Sequence, residues 1–291
     1  MIESRIRTAI RAAQYSMAGN LLMAVVKIVV GILGHSFAMI ADGIESTSDI
    51  FSSILVWIGL KYASRPPDRN HPYGHGKAEP LITFVVVGLL IVSAIYIIIQ
   101  SIYYIRHPHE NPKAYVLIIL GFIILIKEGF YRMMKRKSRE TKSRMLEADA
   151  WHHRSDAVTS MAAFVGIGIA VMMGNGYESA DDWAALVAAG IILYNAFRIF
   201  RPALGEVMDE NTHQGMIHRI RSLAIEVDGI LDTEKCFIRK SGMLYHVDLH
   251  ATVDGDISVH EGHELAHRLK DHLQAALPEI AEVLIHIEPD N

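Results

Sequence analysis

The stretch Asp149-Ala150-Trp151-His152-His153-Arg154-Ser155-Asp156 stands at the head of an apolar run that extends to Met173. A helix needs about 20 apolar residues to cross the hydrocarbon core of a bilayer, and this run supplies them. Its entry nevertheless carries two carboxylates and two imidazoles. Ionisable groups at membrane depth are expensive unless a partner or an ion compensates them, so they read first as functional groups. Together the apolar run and its polar entry predict a membrane helix with a chemical task.

Outward from this stretch, five more apolar segments recur and then stop near residue 200. The six spans are expected at 12–33, 37–62, 81–105, 115–134, 146–173 and 183–200. About half of the 291 residues (51%) are hydrophobic, and their clustering into spans points away from a soluble domain. Glycines punctuate the spans (Gly31, Gly34, Gly59, Gly88, Gly121, Gly166, Gly168, Gly190), as where helices pack closely in lipid. The polar start of the chain and the length of the first apolar run argue against a cleaved secretory signal. Lys27 falls inside the first span and receives no role from the sequence.

Charge divides the chain. From Asp209 onward there are seven Lys/Arg against sixteen Asp/Glu, a net of −9, so the remainder carries +5 of the overall −4. Nine of the sixteen histidines also lie in that tail. An acidic, His-rich tail repels nucleic acid and suits divalent cations. The single cysteine, Cys236, excludes an internal disulfide and a multi-cysteine metal site.

Lys and Arg also set orientation. Arg5, Arg7 and Arg11 precede span one; Arg65, Arg69 and Lys77 follow span two; Lys135, Arg136, Lys137, Arg139, Lys142 and Arg144 follow span four. The alternate connections hold two positive charges (106–113) or none (34–36 and 174–182). Both termini and the tail are therefore expected in the cytoplasm, with the basic loop after span four facing anionic membrane lipid.

Beyond Arg201-Pro202 the pattern becomes that of a small soluble domain. An amphipathic helix is expected over 210–227 and strands over 236–240 and 244–253, joined at Ser241-Gly242. A helix should start at Ser258, with Glu261 in capping-box position, and end before Pro278; a last strand should occupy 283–287. The fold class is thus an all-α six-helix transmembrane domain (1–208) followed by a small α+β domain of order αββαβ (209–291).

Three constellations carry chemistry. Glu45 and Asp49 in span two are four residues apart, as are His152 and Asp156 in span five. Each pair shares one helical face, and together they offer four ligands for Zn²⁺, Mn²⁺, Fe²⁺ or Co²⁺. Asp149 and His153 have the same spacing, and periodicity does not choose between the histidines. The loop after span two holds Asp68, His71 and His75 close enough in sequence to ligate one cation. The tail holds His250, His263 and His286 on three elements, with Glu288 on the same strand face as His286. No nucleophile elbow, Walker loop or dinucleotide fingerprint accompanies these groups, which argues against ATP-driven pumping by this chain.

At three phrases the sequence resembles the cation diffusion facilitator family of proton-coupled divalent-metal transporters, and its bacterial zinc transporters in particular. They are Ser36-Phe37-Ala38-Met39-Ile40-Ala41-Asp42, His71-Pro72-Tyr73-Gly74-His75-Gly76-Lys77-Ala78-Glu79 and Ala150-Trp151-His152-His153-Arg154-Ser155-Asp156. The resemblance implies a transport site of Glu45, Asp49, His152 and Asp156, which selects His152 over His153. Glu45 departs from the His or Asp usual in the family and leaves the preferred metal open. It implies a loop site at Asp68, His71 and His75, and a tail site at His250, His263, His286 and Glu288, with Glu234 where some members have histidine. It further implies a ferredoxin- or metallochaperone-like tail, a homodimer with a Lys77–Asp209 charge interlock, and residence in a prokaryotic inner membrane. The implied activity is efflux of a divalent cation, Zn²⁺ first and Mn²⁺, Fe²⁺, Co²⁺ or Cd²⁺ as alternatives, in exchange for protons. A membrane-anchored metal sensor or buffer is the rival from another class.

Overall fold

The computed structural model describes the backbone of residues 2–63, 65–107, 110–141, 144–174, 176–242 and 244–290. Side chains are described over the same residues except 2–16, 52–53, 56–57, 60, 138, 140–141, 144–152 and 155. Six long helices come first: α1 (Ile2–Leu33), α2 (Phe37–Ala63), α3 (Ala78–Arg106), α4 (Ala114–Thr141), α5 (Arg144–Met173) and α6 (Ser179–Val207). The tail follows as α7 (Gln214–Ala224), β1 (Asp232–Ser241), β2 (Leu244–Val253), α8 (Val259–Ala276) and β3 (Ile280–Pro289). The fold is a helical membrane region followed by a small α+β domain.

Several boundaries differ from the sequence expectation, and two of them have a plain physical reason. The basic segment after span four is not a loop: α4 runs on through it to Thr141 and α5 resumes at Arg144, because Lys, Arg and Glu are good helix formers once the chain is out of lipid. Helix α6 likewise continues past Pro202 to Val207; proline there costs one helical hydrogen bond but does not end the helix.

Among the described residues, four helical segments are long and apolar enough to cross a membrane: Ala78–Arg106, Ala114–Lys137, Asp156–Met173 and Ser179–Val207. Met17–Leu33 is a shorter apolar stretch, and α2 carries Asp42, Glu45 and Asp49 along its length.

The chain forms two compact units, Met1–Ile54 with Val86–Arg198, and Leu55–Val85 with Ile199–Asn291. In the first, α4 packs along α5, and α1 packs on both. Its interior is made of small and medium side chains such as Ala24, Met39, Ala94, Ile97, Leu120, Ala163, Ile167 and Ala185, while Leu22, Val92, Phe122, Leu125, Val158 and Met172 point outward. Large apolar side chains on the outside are what lipid rather than water selects. Gly43 of α2 lies so close to α1 that a Cβ would come within 2.7 Å of the Ile28 side chain, which brings Lys27 against the polar face of α2. Asp181, at the start of α6, accepts hydrogen bonds from the Ser36 hydroxyl (2.8 Å) and from the backbone N–H of Phe37 (2.6 Å) and Ala38 (3.1 Å). Those N–H groups open α2 and would otherwise lack acceptors.

In the second unit the tail sheet has the order β1-β2-β3. β1 and β2 are antiparallel, with Ile238 opposite Val247. β2 and β3 are parallel, with His250 opposite His286, and α8 supplies the crossover that parallel pairing requires. Along β2, Val247, Leu249, Ala251 and Val253 alternate inward onto Ile220, Ile238, Leu269 and Leu273, which leaves His246, Asp248 and His250 on the opposite face. Helix α8 begins with the expected capping box: the Ser258 side chain accepts from the Glu261 N–H, and the Glu261 carboxylate accepts from the Ser258 N–H. The β1–β2 turn places Gly242 at φ 62°, a conformation that favours glycine. The turn presses so closely on Gly76 of the loop between α2 and α3 that a Cβ on Gly76 would collide with Ser241.

Candidate metal-binding sites

Helices α2 and α5 build a cluster of charge in the first unit. Glu45 has charged neighbours on its own helix, Asp42 and Asp49, and on two others, Asp156 of α5 and Lys127 of α4. Three of the four residues of the implied transport site thus share one electrostatic environment; the side chain of His152 lies outside the described residues, as does that of Asp149. His153 is buried and stacks on Phe130, with ring centroids 5.2 Å apart.

Two lysines enter this cluster. The Lys27 ammonium pairs with Asp42 at 2.8 Å and donates to the Ser46 hydroxyl at 2.9 Å. Ser160 of α5 donates to the Asp42 carboxylate at 2.9 Å. Lys127 of α4 lies 3.4 Å from Asp156 and 3.4 Å from the Ser160 hydroxyl. Lys27 was visible in the sequence as a charge without a role. Lys127 went unread, although an isolated lysine inside an apolar span is itself a signal of a buried partner.

The loop between α2 and α3 gathers the second set. Ligand atoms of Asp68, His71 and His75 lie within 4.8 Å of one another. Asp68 accepts from the His71 N–H (2.7 Å) and the Asn70 N–H (2.9 Å) and sits 3.0 Å from His71 Nδ1. Its other oxygen is 3.4 Å from His75 Nε2. The backbone N–H of His71, helped by that residue's ring, holds the Asp68 carboxyl below its ordinary range. His75 is buried, edge-on to Tyr62 with centroids 5.2 Å apart.

The third set lies on the outer face of the tail sheet. His250 and His286 face each other across the β2–β3 pair, and Glu288 reaches back so that the three ligand atoms lie within 4.8 Å. Glu288 is 2.6 Å from His250 Nδ1. A hydrogen bond shared with Glu234, and then the His250 contact, hold the Glu288 carboxyl below its ordinary range. Glu234 therefore adjoins the set, brought there by the irregular register between Thr233 and Cys236. His263 is not part of the three-residue cluster. It sits on α8 with its ring 4.6 Å from that of His267, because helical spacing pairs residues four apart on one face.

Lys77 and Asp209 meet within the chain at 2.6 Å. Lys77 also donates to the Glu206 carbonyl at 2.6 Å, so it neutralises the negative end of α6. Asp209 adopts φ 53°, which turns its carboxylate back toward the lysine.

The sequence matches the family model of the cation efflux transmembrane domain over residues 13–208 and that of the cation efflux protein cytoplasmic domain over residues 213–290. It is 27% identical to the manganese efflux system protein MneP of Bacillus subtilis (strain 168), over 99% of each chain. It is 30% identical to metal tolerance protein 2 of Oryza sativa subsp. japonica, over 95% of this chain and 77% of that one. It is 28% identical to the cation-efflux pump FieF of Shewanella oneidensis, over 96% and 93%. With both family domains present in order along the chain and relatives matched nearly end to end, this protein belongs to the cation efflux family.

Proposed function

We propose that the protein exports a divalent metal ion from the cytoplasm in exchange for protons, and that Glu45, Asp49, His152 and Asp156 hold the ion in transit. The observation that carries this reading is the meeting of buried charge from two helices inside an apolar bundle: Asp42 of α2 and Asp156 of α5 are joined through Ser160, Lys27 and Lys127, with Glu45 and Asp49 on the same helix as Asp42. Carboxylates and imidazole bind metal only when deprotonated, so metal and protons compete for one set of atoms. Loading faces the compartment with the lower proton activity; release faces the higher one, where protons take the ligands back. Differential affinity for ion and proton in the two orientations is what drives the cycle.

Zn²⁺ is the cargo implied by the family resemblance, and three carboxylates with one imidazole accept it. Mn²⁺ is a second reading favoured by a specific feature: Glu45 makes the donor set rich in oxygen, which suits Mn²⁺, and a manganese efflux protein stands among the relatives. The tail is proposed to lie in the cytoplasm as residues 209–291, following a transport domain of 1–208. There His250, His286 and Glu288, with Glu234 beside them, bind cytosolic metal and tighten a homodimer. Asp68, His71 and His75 form a further metal site in the loop.

The test is flux in proteoliposomes that carry a pH dye and a metal dye, with Zn²⁺, Mn²⁺, Fe²⁺, Co²⁺ and Cd²⁺ in competition. Proton counterflow that appears only with metal supports exchange; metal flux without it refutes exchange. Glu45→Asp and Glu45→His should reorder the metals. An unchanged order removes Glu45 from selectivity.

A further inference from the structure

The α2–α5 cluster contains two cations that no metal-ligand set uses. Lys27 is fully buried and Lys127 nearly so, at 0% and 2% exposed. We propose that Lys127 is a resident counter-cation of the transport site: its ammonium competes with the metal for Asp156, and so sets how tightly the ion is held and how readily it leaves. This rests on the reading of the transport site given above.

Burial is the first argument. Inside an apolar bundle an ammonium is costly unless a carboxylate compensates it, and the carboxylates that the two lysines meet, Asp42 and Asp156, lie on α2 and α5.

Geometry separates the two lysines. Lys27 pairs with Asp42 at 2.8 Å and with the Ser46 hydroxyl at 2.9 Å, and Ser160 braces the same carboxylate. Asp42 belongs to no ligand set, so this pair has no exchange to make and is structural. Lys127 approaches Asp156 at 3.4 Å, and its approach to Ser160 is equally long, at 3.4 Å. That is a looser ion pair, made to a carboxylate that the metal also needs. Lys127 approaches one oxygen of Asp156, and the carboxylate keeps a second for the metal, so the competition is one of charge: the ammonium draws on the same carboxylate and repels the ion while it stays.

The test uses the full-length protein in proteoliposomes, with KM and Vmax measured for Zn²⁺ and Mn²⁺. Lys127→Met and Lys127→Gln remove the charge, Lys127→Arg keeps it, and Asp156→Ala serves as reference. Both neutral variants should bind metal more tightly, with KM lowered roughly tenfold or more, and should turn over more slowly because release loses its competitor. Lys127→Arg should keep KM within about threefold of wild type. Titration calorimetry on the detergent-purified protein should show the same tightening without any flux. A merely structural lysine would lower Vmax and leave KM or the binding constant unmoved, and that outcome overturns the proposal, as does an arginine variant that matches methionine. If Asp156→Ala abolishes flux while the neutral Lys127 variants keep wild-type KM, only this inference falls. If Asp156→Ala transports normally, the transport site itself is wrong.

Discussion

Two charged clusters of this chain, each containing proposed metal ligands, meet the same electrostatic problem in opposite ways. In the helical unit, Asp42, Glu45, Asp49 and Asp156 are accompanied by two buried lysines and a bridging serine. In the tail, His250, His286 and Glu288 are partly or largely exposed and gather about one another and Glu234. Water stabilises the charges of the tail set, so it can form with no cation at hand. Asp42 and Asp156 are buried in the bundle, and there the protein supplies counter-charges from its own side chains. Charge is therefore part of the fold in the first region and mainly part of the ligand chemistry in the second.

The comparison breaks most sharply at Lys27. Lys27→Met strips Asp42 of its partner, and breaking a buried pair from one side costs roughly 3–5 kcal/mol. Thermal unfolding of the detergent-purified protein should fall accordingly. Lys27→Met combined with Asp42→Asn should recover much of the loss, and a purely additive double variant would contradict the pairing.

The same operation in the tail should do something different. His286→Ala should weaken metal binding to the tail by roughly 10–100-fold while leaving its unfolding temperature without metal nearly unchanged. Addition of metal to the wild-type tail at about 100 times its Kd should stabilise it by about 2.7 kcal/mol, and the same concentration should stabilise the variant by only about 0.4–1.4 kcal/mol. A large loss of metal-free stability would mean that the tail set, like the bundle set, is structural.

Smaller still is the capping box of α8. Ser258→Ala should lower the melting temperature of the tail by several degrees, the effect of losing an N-cap of about 1 kcal/mol. The sign of its pH dependence follows from Glu261, whose carboxyl is held below its ordinary range by the Ser258 hydroxyl and N–H. That contribution is present above the ordinary carboxylate value of about 4.3 and is lost as pH falls through the lower folded value. The gap between wild type and Ser258→Ala should therefore narrow in acid and hold at neutral pH. Last, burial pushes the Cys236 thiol up to about 11, so alkylating reagents should leave the native tail unmodified at pH 8 and label it only on unfolding.

The elements were readable wherever a local period dominates. The bounds of β2 and the Ser258–Glu261 box follow from alternation and from a three-residue spacing, both contained in a few residues. Helix ends were less readable, since α4 and α6 continue through basic residues and a proline that sequence alone treats as stops. The counter-charges were hidden for a different reason. Lys127 and Asp156 sit on separate helices, and nothing near either residue announces the other. His263 shows the same limit from the other side: it shares a residue type with the tail set, but its helix pairs it with His267.

The most direct measurement is metal flux through the reconstituted protein with the α2 and α5 carboxylates removed one at a time. Asp49→Ala and Asp156→Ala, each folded by size-exclusion chromatography, should lose at least about two orders of magnitude in metal-driven flux, while His286→Ala retains flux at saturating metal. Wild-type flux in Asp49→Ala or Asp156→Ala would contradict the account.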